Sequence, residues 1–327
     1  VTYFEVVKHA FLPAIISYIA LFYISHLEAL KLNLKGMDEN DIPKLKKTFF
    51  GGIHFLVPIF VLIYLLVYMR LTASYSIFFA TITLIIVNLL NKIFKEKNFK
   101  NALIYWYNQT VVGFEKGALN MVSVGIAIAT AGIIVGAVGS TGLSTNLIIV
   151  IESIAKDNVI ILLFLTIILC LLLGMGLPTT ANYVVVASLM ATVLVDVGNA
   201  SGFIFPLIAV HLFVFYFGLM ADVTPPVGLA SYAAAAISGG DPLRTGAQAF
   251  WYSLRTGILP IVFLFNSELL LIGIESIWHG LMVIATSLIG ILVFTSATQG
   301  WFINKLRWYE IIIFLIISIS LLSPEFI

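Results

Sequence analysis

Two short stretches collect most of the residues that chemistry can use. The first, Gly174-Met175-Gly176-Leu177-Pro178-Thr179-Thr180-Ala181-Asn182, interrupts a long apolar run; the second, Asp222-Val223-Thr224-Pro225-Pro226-Val227-Gly228, interrupts another. Glycine and proline weaken a helix, and hydroxyl and amide groups are costly in lipid unless something satisfies them. Pro225 and Pro226 lack N–H donors and cannot continue a regular helix. Unwound backbone at membrane depth exposes carbonyls and half-helix ends, which suit Na⁺ and anions respectively. The first stretch offers carbonyls around Gly174, Met175 and Gly176, the hydroxyls of Thr179 and Thr180, and the Asn182 amide. The second offers carbonyls before Pro225 and Pro226 and the Thr224 hydroxyl. Together they suit a hard cation and an anionic solute held between them, the threonines and Asn182 facing the solute. A single proline kink is ordinary packing, whereas two composite breaks in one bundle point to function. Asp222 is an intramembrane carboxylate and so a functional candidate. Its alternative is a shallower position, where it reaches water or a backbone donor.

The remaining polar residues read more plainly. His211 and the Phe213–Phe217 cluster suit helix packing, Asp196 a solvated helix end, Glu152, Lys156 and Asp157 a wet loop, and Glu268 a local cap or pair. The lone Cys170 lies in an apolar run as a small buried hydrophobe, with no partner for a disulfide or a cysteine zinc site. GxxxxGK[ST], HExxH and GxSxG motifs are absent, so no enzyme activity is expected. A net charge of +1 gives no field for nucleic acid.

The elements that position these stretches belong in a membrane. Of 327 residues, 61% are hydrophobic and 10% charged, against about 25% charged in soluble domains, and mean hydropathy is +1.10. Charge-free runs such as Ile53–Met69, Val159–Leu173 and Ile311–Leu322 lack the alternation of a barrel strand. The expected fold is an all-α polytopic helical bundle. Residues 1–117 form scaffold-like spans with basic loops and an interfacial segment, Asn101–Gly117, rich in aromatics and amides. Residues 118–240 form a transport-like repeat that opens with a small-residue span, Asn120–Val138. Residues 241–327 hold the C-terminal spans: amphipathic Pro242–Thr256, then Gly257–Ile274, Gly280–Thr298 and Ile311–Leu322.

Within the repeat, Val159–Leu173 and Asn182–Val197 are each shorter than the roughly 20 residues of a full span. Joined by an uncharged Gly/Pro tip, they describe a re-entrant hairpin; the alternatives are two short spans or one kinked span. Ile204–Ala236 reads as one span broken at Pro225-Pro226. Basic residues mark the cytoplasmic side. With the hairpin returning to the outer face, only Lys8, Arg70 and Lys156 of the 17 Lys and Arg residues lie outside. A single kinked crossing would move Arg244, Arg255, Lys305 and Arg307 outside as well, and is disfavoured. The distribution does not separate a re-entrant hairpin from two full spans; the short arms favour re-entry.

The segments "AGIIVGAVGSTGL", "LLLGMGLPTTANYVVVA", "AVHLFVFYFGLMADVTPPVGLASYAAAAISGGDP" and "HAFLPAIISYIALFYISHLEAL" resemble the large membrane subunit of tripartite ATP-independent periplasmic (TRAP) transporters, in the fused branch that works with a TAXI-type binding protein. The likeness runs from about Glu5 to Leu271. It implies an elevator-type fold of inverted repeats, similar to the wider ion-transporter superfamily, with Na⁺ held where a hairpin tip meets a helix break. By motif, Gly174, Met175, Gly176, Thr179 and Thr180 match the tip, and Thr224, Pro225 and Pro226 the break. The family's first repeat, with its own hairpin and break, is absent, and the chain begins at Val1 without a cleavable signal pattern. The chain thus reads as the C-terminal half of such a permease, from a bacterial or archaeal inner membrane. The resemblance implies Na⁺-coupled import of small organic anions, carboxylates above all, with the missing N-terminal half, a small membrane subunit and a periplasmic TAXI-type protein as partners. The alternatives are another carrier of the superfamily, or a non-transporting membrane assembly module.

Overall fold

The computed structural model describes residues 3–38, 41–95, 99–141, 149–150, 153–155, 158–174, 179–225 and 228–322. Among these the chain is helical and contains no strand; the one sheet-like pairing is an isolated bridge between Trp301 and Lys305. The helices are α1 (Tyr3–Lys31), α2 (Leu45–Gly52), α3 (Leu56–Ile63), α4 (Ala73–Lys95), α5 (Phe99–Ser140), α6 (Val159–Gly174), α7 (Thr179–Ala200), α8 (Leu207–Ala221), α9 (Leu229–Ser238), α10 (Pro242–Phe265), α11 (Ile277–Gln299) and α12 (Trp308–Leu322). Tyr3–Lys31, Leu45–Tyr68, Ala73–Phe94, Thr179–Ala200 and Ile277–Gln299 are long and apolar enough to cross a membrane, while Val159–Gly174, Leu207–Ala221 and Trp308–Leu322 are shorter apolar helices. The protein is an all-α polytopic membrane protein.

The chain divides into two compact units, one of residues 1–7 and 35–125, the other of residues 8–34 and 126–327. In the first, α3 and α4 pack against each other, joined through a turn in which Arg70 takes a positive φ of 52°. The Asn91 amide meets the His54 ring at 3.0 Å, and the Trp106 indole N–H donates to the Ile85 carbonyl at 2.9 Å. Segments expected as Asn101–Gly117 and Asn120–Val138 form one continuous helix, α5. Gly113 and Gly117 cost only about 1 kcal/mol each in a helix interior, too little to break it without a proline. Its small-residue part is helical, but the packing of most positions from Gly125 to Gly136 lies outside the described residues.

In the second unit α8 is central and packs on α6, α7 and α10; α9 packs on α10, and α11 on both α10 and α12. The core consists of α8 positions such as Val210, Phe213, Val214 and Phe217 with α7 positions such as Val186, Met190 and Leu194. Local chemistry sets the boundaries. The Asn158 side chain caps α6 by accepting from the Ile160 and Ile161 N–H groups. The Asp241 carboxylate caps α10 from the Arg244 N–H at 2.8 Å, with Pro242 at the first helical position. Ser276 caps α11, and Arg307 N–H reaches Glu310 across the first turn of α12. Two boundaries differ from expectation. Helix α7 begins at Thr179 and runs to Ala200, well beyond Asn182–Val197. The run expected as Gly257–Ile274 stops at Phe265, where Asn266 leaves helical geometry and caps a short 3₁₀ turn, Ser267–Leu270; with the amphipathic segment before it, this run forms a single helix.

Candidate functional site

Four helix ends meet around the two broken stretches: the C-terminus of α6, the N-terminus of α7, the C-terminus of α8 and the N-terminus of α9. Helix α6 ends on Gly174 because nothing larger fits. A Cβ at this position would lie 2.2 Å from the Ala221 Cβ and 2.5 Å from the Asn182 Nδ2. Three sequence candidates are thereby brought to one place, since Ala221 immediately precedes Asp222.

Asn182 has no exposed surface. Its Nδ2 donates to the Cys170 carbonyl at 2.9 Å, about one turn before the end of α6. The amide thus ties the two arms together. That donor role fixes the amide orientation and leaves Oδ1 as a buried acceptor with no partner among the described residues. Gly218 of α8 lies alongside: a Cβ there would sit 3.4 Å from the Asn182 Nδ2.

Across from it, the Thr179 hydroxyl donates to the Asp222 carboxylate, so the first residue of α7 is bonded to the first residue past α8. Asp222 is half-buried, and among the described residues no basic side chain pairs with it. The break is held by its own backbone. The Asp222 carbonyl accepts from the Ala230 N–H at 3.1 Å and the Thr224 carbonyl from the Gly228 N–H at 3.1 Å. Gly228 makes the turn at φ +37°, a conformation that disfavours side chains. The Thr224 hydroxyl donates to the Met220 carbonyl at 2.6 Å, and Ser231 of α9 donates to the Val223 carbonyl at 3.1 Å.

Thr179, Asn182, Gly174 and Asp222 are therefore brought together, with Thr224 and Pro225 on the adjoining turn. Thr180 is exposed and takes no part in this cluster. Met175, Gly176 and Pro226 lie outside the described residues. Gly218, Ser231 and the Cys170 carbonyl were not identified from sequence. Ser231 carried a signal, a lone hydroxyl in the small-residue run after the break; the other two are set by long-range packing. Of the residues read as structural, His211 meets the Tyr183 hydroxyl at 3.0 Å between α7 and α8, Phe213 and Phe217 stack edge to face, and Cys170 is buried. Asp196 is exposed, and Glu268 pairs with His279 Nε2 at 3.1 Å. Glu152, Lys156 and Asp157 lie outside the described residues.

The donors at the site are oxygens: a carboxylate, an amide carbonyl, hydroxyls and backbone carbonyls. Among the described residues no cluster of three His, Cys, Asp or Glu side chains suits a transition metal. Oxygen sets of this kind suit hard cations.

A family model for the tripartite ATP-independent periplasmic transporter, DctM component, matches residues 1–278, and a second, for a domain of unknown function (DUF3394), matches residues 280–327. No curated protein and no solved structure matches the chain. The chain belongs to the DctM-component family of tripartite ATP-independent periplasmic transporters, multi-pass inner-membrane permeases that work with a periplasmic binding protein and a small membrane subunit.

Proposed function

We propose that this permease imports small organic anions, carboxylates above all, driven by Na⁺ and fed by a periplasmic binding protein of the TAXI type. The observation that supports this most directly is the Thr179–Asp222 hydrogen bond between hairpin tip and helix break. A carboxylate at membrane depth without a basic partner is costly. Here the only partner among the described residues is a hydroxyl, which satisfies geometry but not charge. A bound cation supplies the missing charge, and the unpaired Asn182 Oδ1 is an acceptor ready to ligate it. Na⁺ is written here as the coupling ion, a co-substrate.

The same charge logic gives the coupling. With Asp222 unneutralised, a substrate carboxylate about 8 Å away is repelled by about 2 kcal/mol at an effective dielectric of about 20. Cation binding removes that repulsion, so each ligand raises the affinity of the other.

The test is solute uptake by the complete transporter in liposomes as a function of Na⁺. Asp222→Asn and Thr179→Ala should each raise the Na⁺ concentration for half-maximal uptake by about tenfold or more, the equivalent of one lost charge-assisted contact. Unchanged Na⁺ dependence in both variants at normal expression removes the pair from the ion site. Uptake that follows a pH gradient without Na⁺ assigns the counter-charge to a proton instead.

A further inference from the structure

The first unit holds a cleft that is polar where its helix is otherwise apolar. Between α4 and α5 a cavity of about 260 Å³ is lined by Thr81, Ile85 and Asn88 of α4 and by Gln109, Thr110 and Gly113 of α5, among others. Thr81, Ile85 and Asn88 recur at helical spacing on one face of α4. Only 6% of the apolar stretch of α4 is buried, so the protein itself covers little of it. Thr81 is satisfied locally, its hydroxyl donating to the Ile77 carbonyl at 2.8 Å. Asn88, Gln109 and Thr110 are not, and none of them has a hydrogen-bond partner among the described residues. Amides and hydroxyls at membrane depth without partners are costly. No charged side chain lines the cleft, so the group that completes these three is neutral and offers acceptors to their N–H and O–H donors.

The surroundings of the cleft are ordered by depth. One turn beyond Asn88, toward the cytoplasmic end of α4, the Lys92 ammonium lies over the Tyr105 ring at 3.7 Å, and Tyr105 is one turn before Gln109 on α5. The Trp106 indole N–H donates to the Ile85 carbonyl at 2.9 Å; amphipathic rings of this kind sit at the headgroup level. Along α4, Asn88 is about 6 Å and Thr81 about 17 Å inward of Lys92. The headgroup layer is about 5–7 Å thick on each side of the hydrocarbon core. Ammonium and rings therefore stand in the headgroup layer, the amides and Thr110 at its inner boundary, and Ile85, Gly113 and Phe114 deeper. A glycerophospholipid has the same order: phosphate, ester carbonyls, acyl chain. A crossing helix offers no such gradient, because its backbone polar groups are satisfied internally. Glu115, next to Phe114, is ten residues and about 15 Å along α5 from Tyr105, away from the phosphate end.

We propose that the α4–α5 cleft holds one phospholipid of the cytoplasmic leaflet. Its ester carbonyls accept from Asn88, Gln109 and Thr110, its phosphate lies at the level of Lys92, and an acyl chain runs along Ile85, Gly113 and Phe114. The lining lies within the first unit and shares no residue with the Thr179–Asp222 cluster.

The experiment is native mass spectrometry of the delipidated, detergent-purified chain titrated with dioleoyl phosphatidylethanolamine and, separately, with its diether analogue, which lacks the ester carbonyls. The wild type should bind one ester lipid saturably, and the diether analogue about tenfold more weakly. The double variant Asn88→Leu with Gln109→Leu should raise the half-saturating concentration of the ester lipid by about tenfold or more. Gly113→Leu should abolish the same binding by filling the cleft. A Cβ at Gly113 meets nothing within 4 Å, so this variant keeps the fold and the test informative if the double variant does not fold. Equal lipid binding by the wild type and both variants overturns the proposal, as does equal binding of the ester and diether lipids. A dimer in the same spectra that Gly113→Leu abolishes, with lipid binding unchanged, gives the cleft to a helix of a second copy and likewise overturns it.

Discussion

Gly174 has the least freedom of any residue at the site. Its neighbours are an Ala221 Cβ at 2.2 Å and an Asn182 amide at 2.5 Å from where its own Cβ would lie. Ala221 is backbone-proximal and cannot swing aside, and Asn182 is already committed to Cys170. Gly174→Ala must therefore separate α6 from α8 or eject the amide. Overpacking of this kind costs about 1–3 kcal/mol, and a displaced Asn182 loses the acceptor of its buried amide in addition. The expected outcome is a lower melting temperature of the purified chain and loss of uptake by the complete transporter. Normal melting and normal uptake in Gly174→Ala would mean that the arms do not close as described. Residue types at this site were readable from sequence because Gly, Thr, Asn and Asp stand out in an apolar chain. Their partners were less so: Gly218 and the Cys170 carbonyl look like any other apolar-helix position until the helices are packed.

At the scale of elements, the hairpin arms are unequal. The first, Val159–Gly174, is too short for an untilted crossing, whereas the second, Thr179–Ala200, is long enough to span. The sequence made the second arm look shorter because Thr179 and Thr180 were counted with the break. Hydroxyl residues suit the first turn of a helix, and α7 begins on them. In the other direction, the interfacial segment and the small-residue span merged into α5 because no proline separates them. The basic-residue distribution still places the α7–α8 connection outside, and re-entry now rests on the short first arm and the uncharged tip. With Cys170→Ser as background, Asn199→Cys should react with an impermeant thiol reagent from the periplasmic face only. Gly176→Cys, at the tip, should resist the reagent from the cytoplasmic face. Labelling of Asn199→Cys from the cytoplasm alone would reverse the assignment, and free cytoplasmic labelling of Gly176→Cys would replace the re-entrant tip with two full spans.

At the scale of the whole molecule, composition and charge were enough for the class, a polytopic helical membrane protein, but not for how its two family regions join. Within residues 280–327, matched by a domain of unknown function, the described residues 280–322 belong to the same compact unit as α1 from Lys8 onward and α6 to α10. The contacts run along α1. His9 meets the Leu270 carbonyl at 2.6 Å, Ser17 meets Thr256 at 3.3 Å, Tyr23 meets Ser296 at 3.1 Å, and Lys31 meets Gln299 at 3.5 Å. Helix α1 thus runs antiparallel to α10 and parallel to α11. That pairing of ends is the one the basic residues require, with Lys31 and Lys305 on one side of the membrane and Lys8 on the other. The Trp251 indole of α10 also donates to the Thr298 carbonyl at 2.8 Å. Such polar contacts between membrane helices are worth only about 1 kcal/mol each, so several are needed to fix one register. No local sequence feature announces them, because Ser, Thr and Tyr also occur on lipid-facing and loop positions. The arrangement predicts that Tyr23→Cys with Ser296→Cys, in the Cys170→Ser background, forms an intramolecular cross-link under mild oxidation, read by intact mass. Moving one partner about half a helical turn, to Phe294→Cys or Thr298→Cys, should weaken it, since a two-residue shift turns the side chain about 200° round α11. Equal cross-linking at all three positions would mean that α11 does not hold one register against α1, and that residues 280–327 associate loosely with the transporter fold.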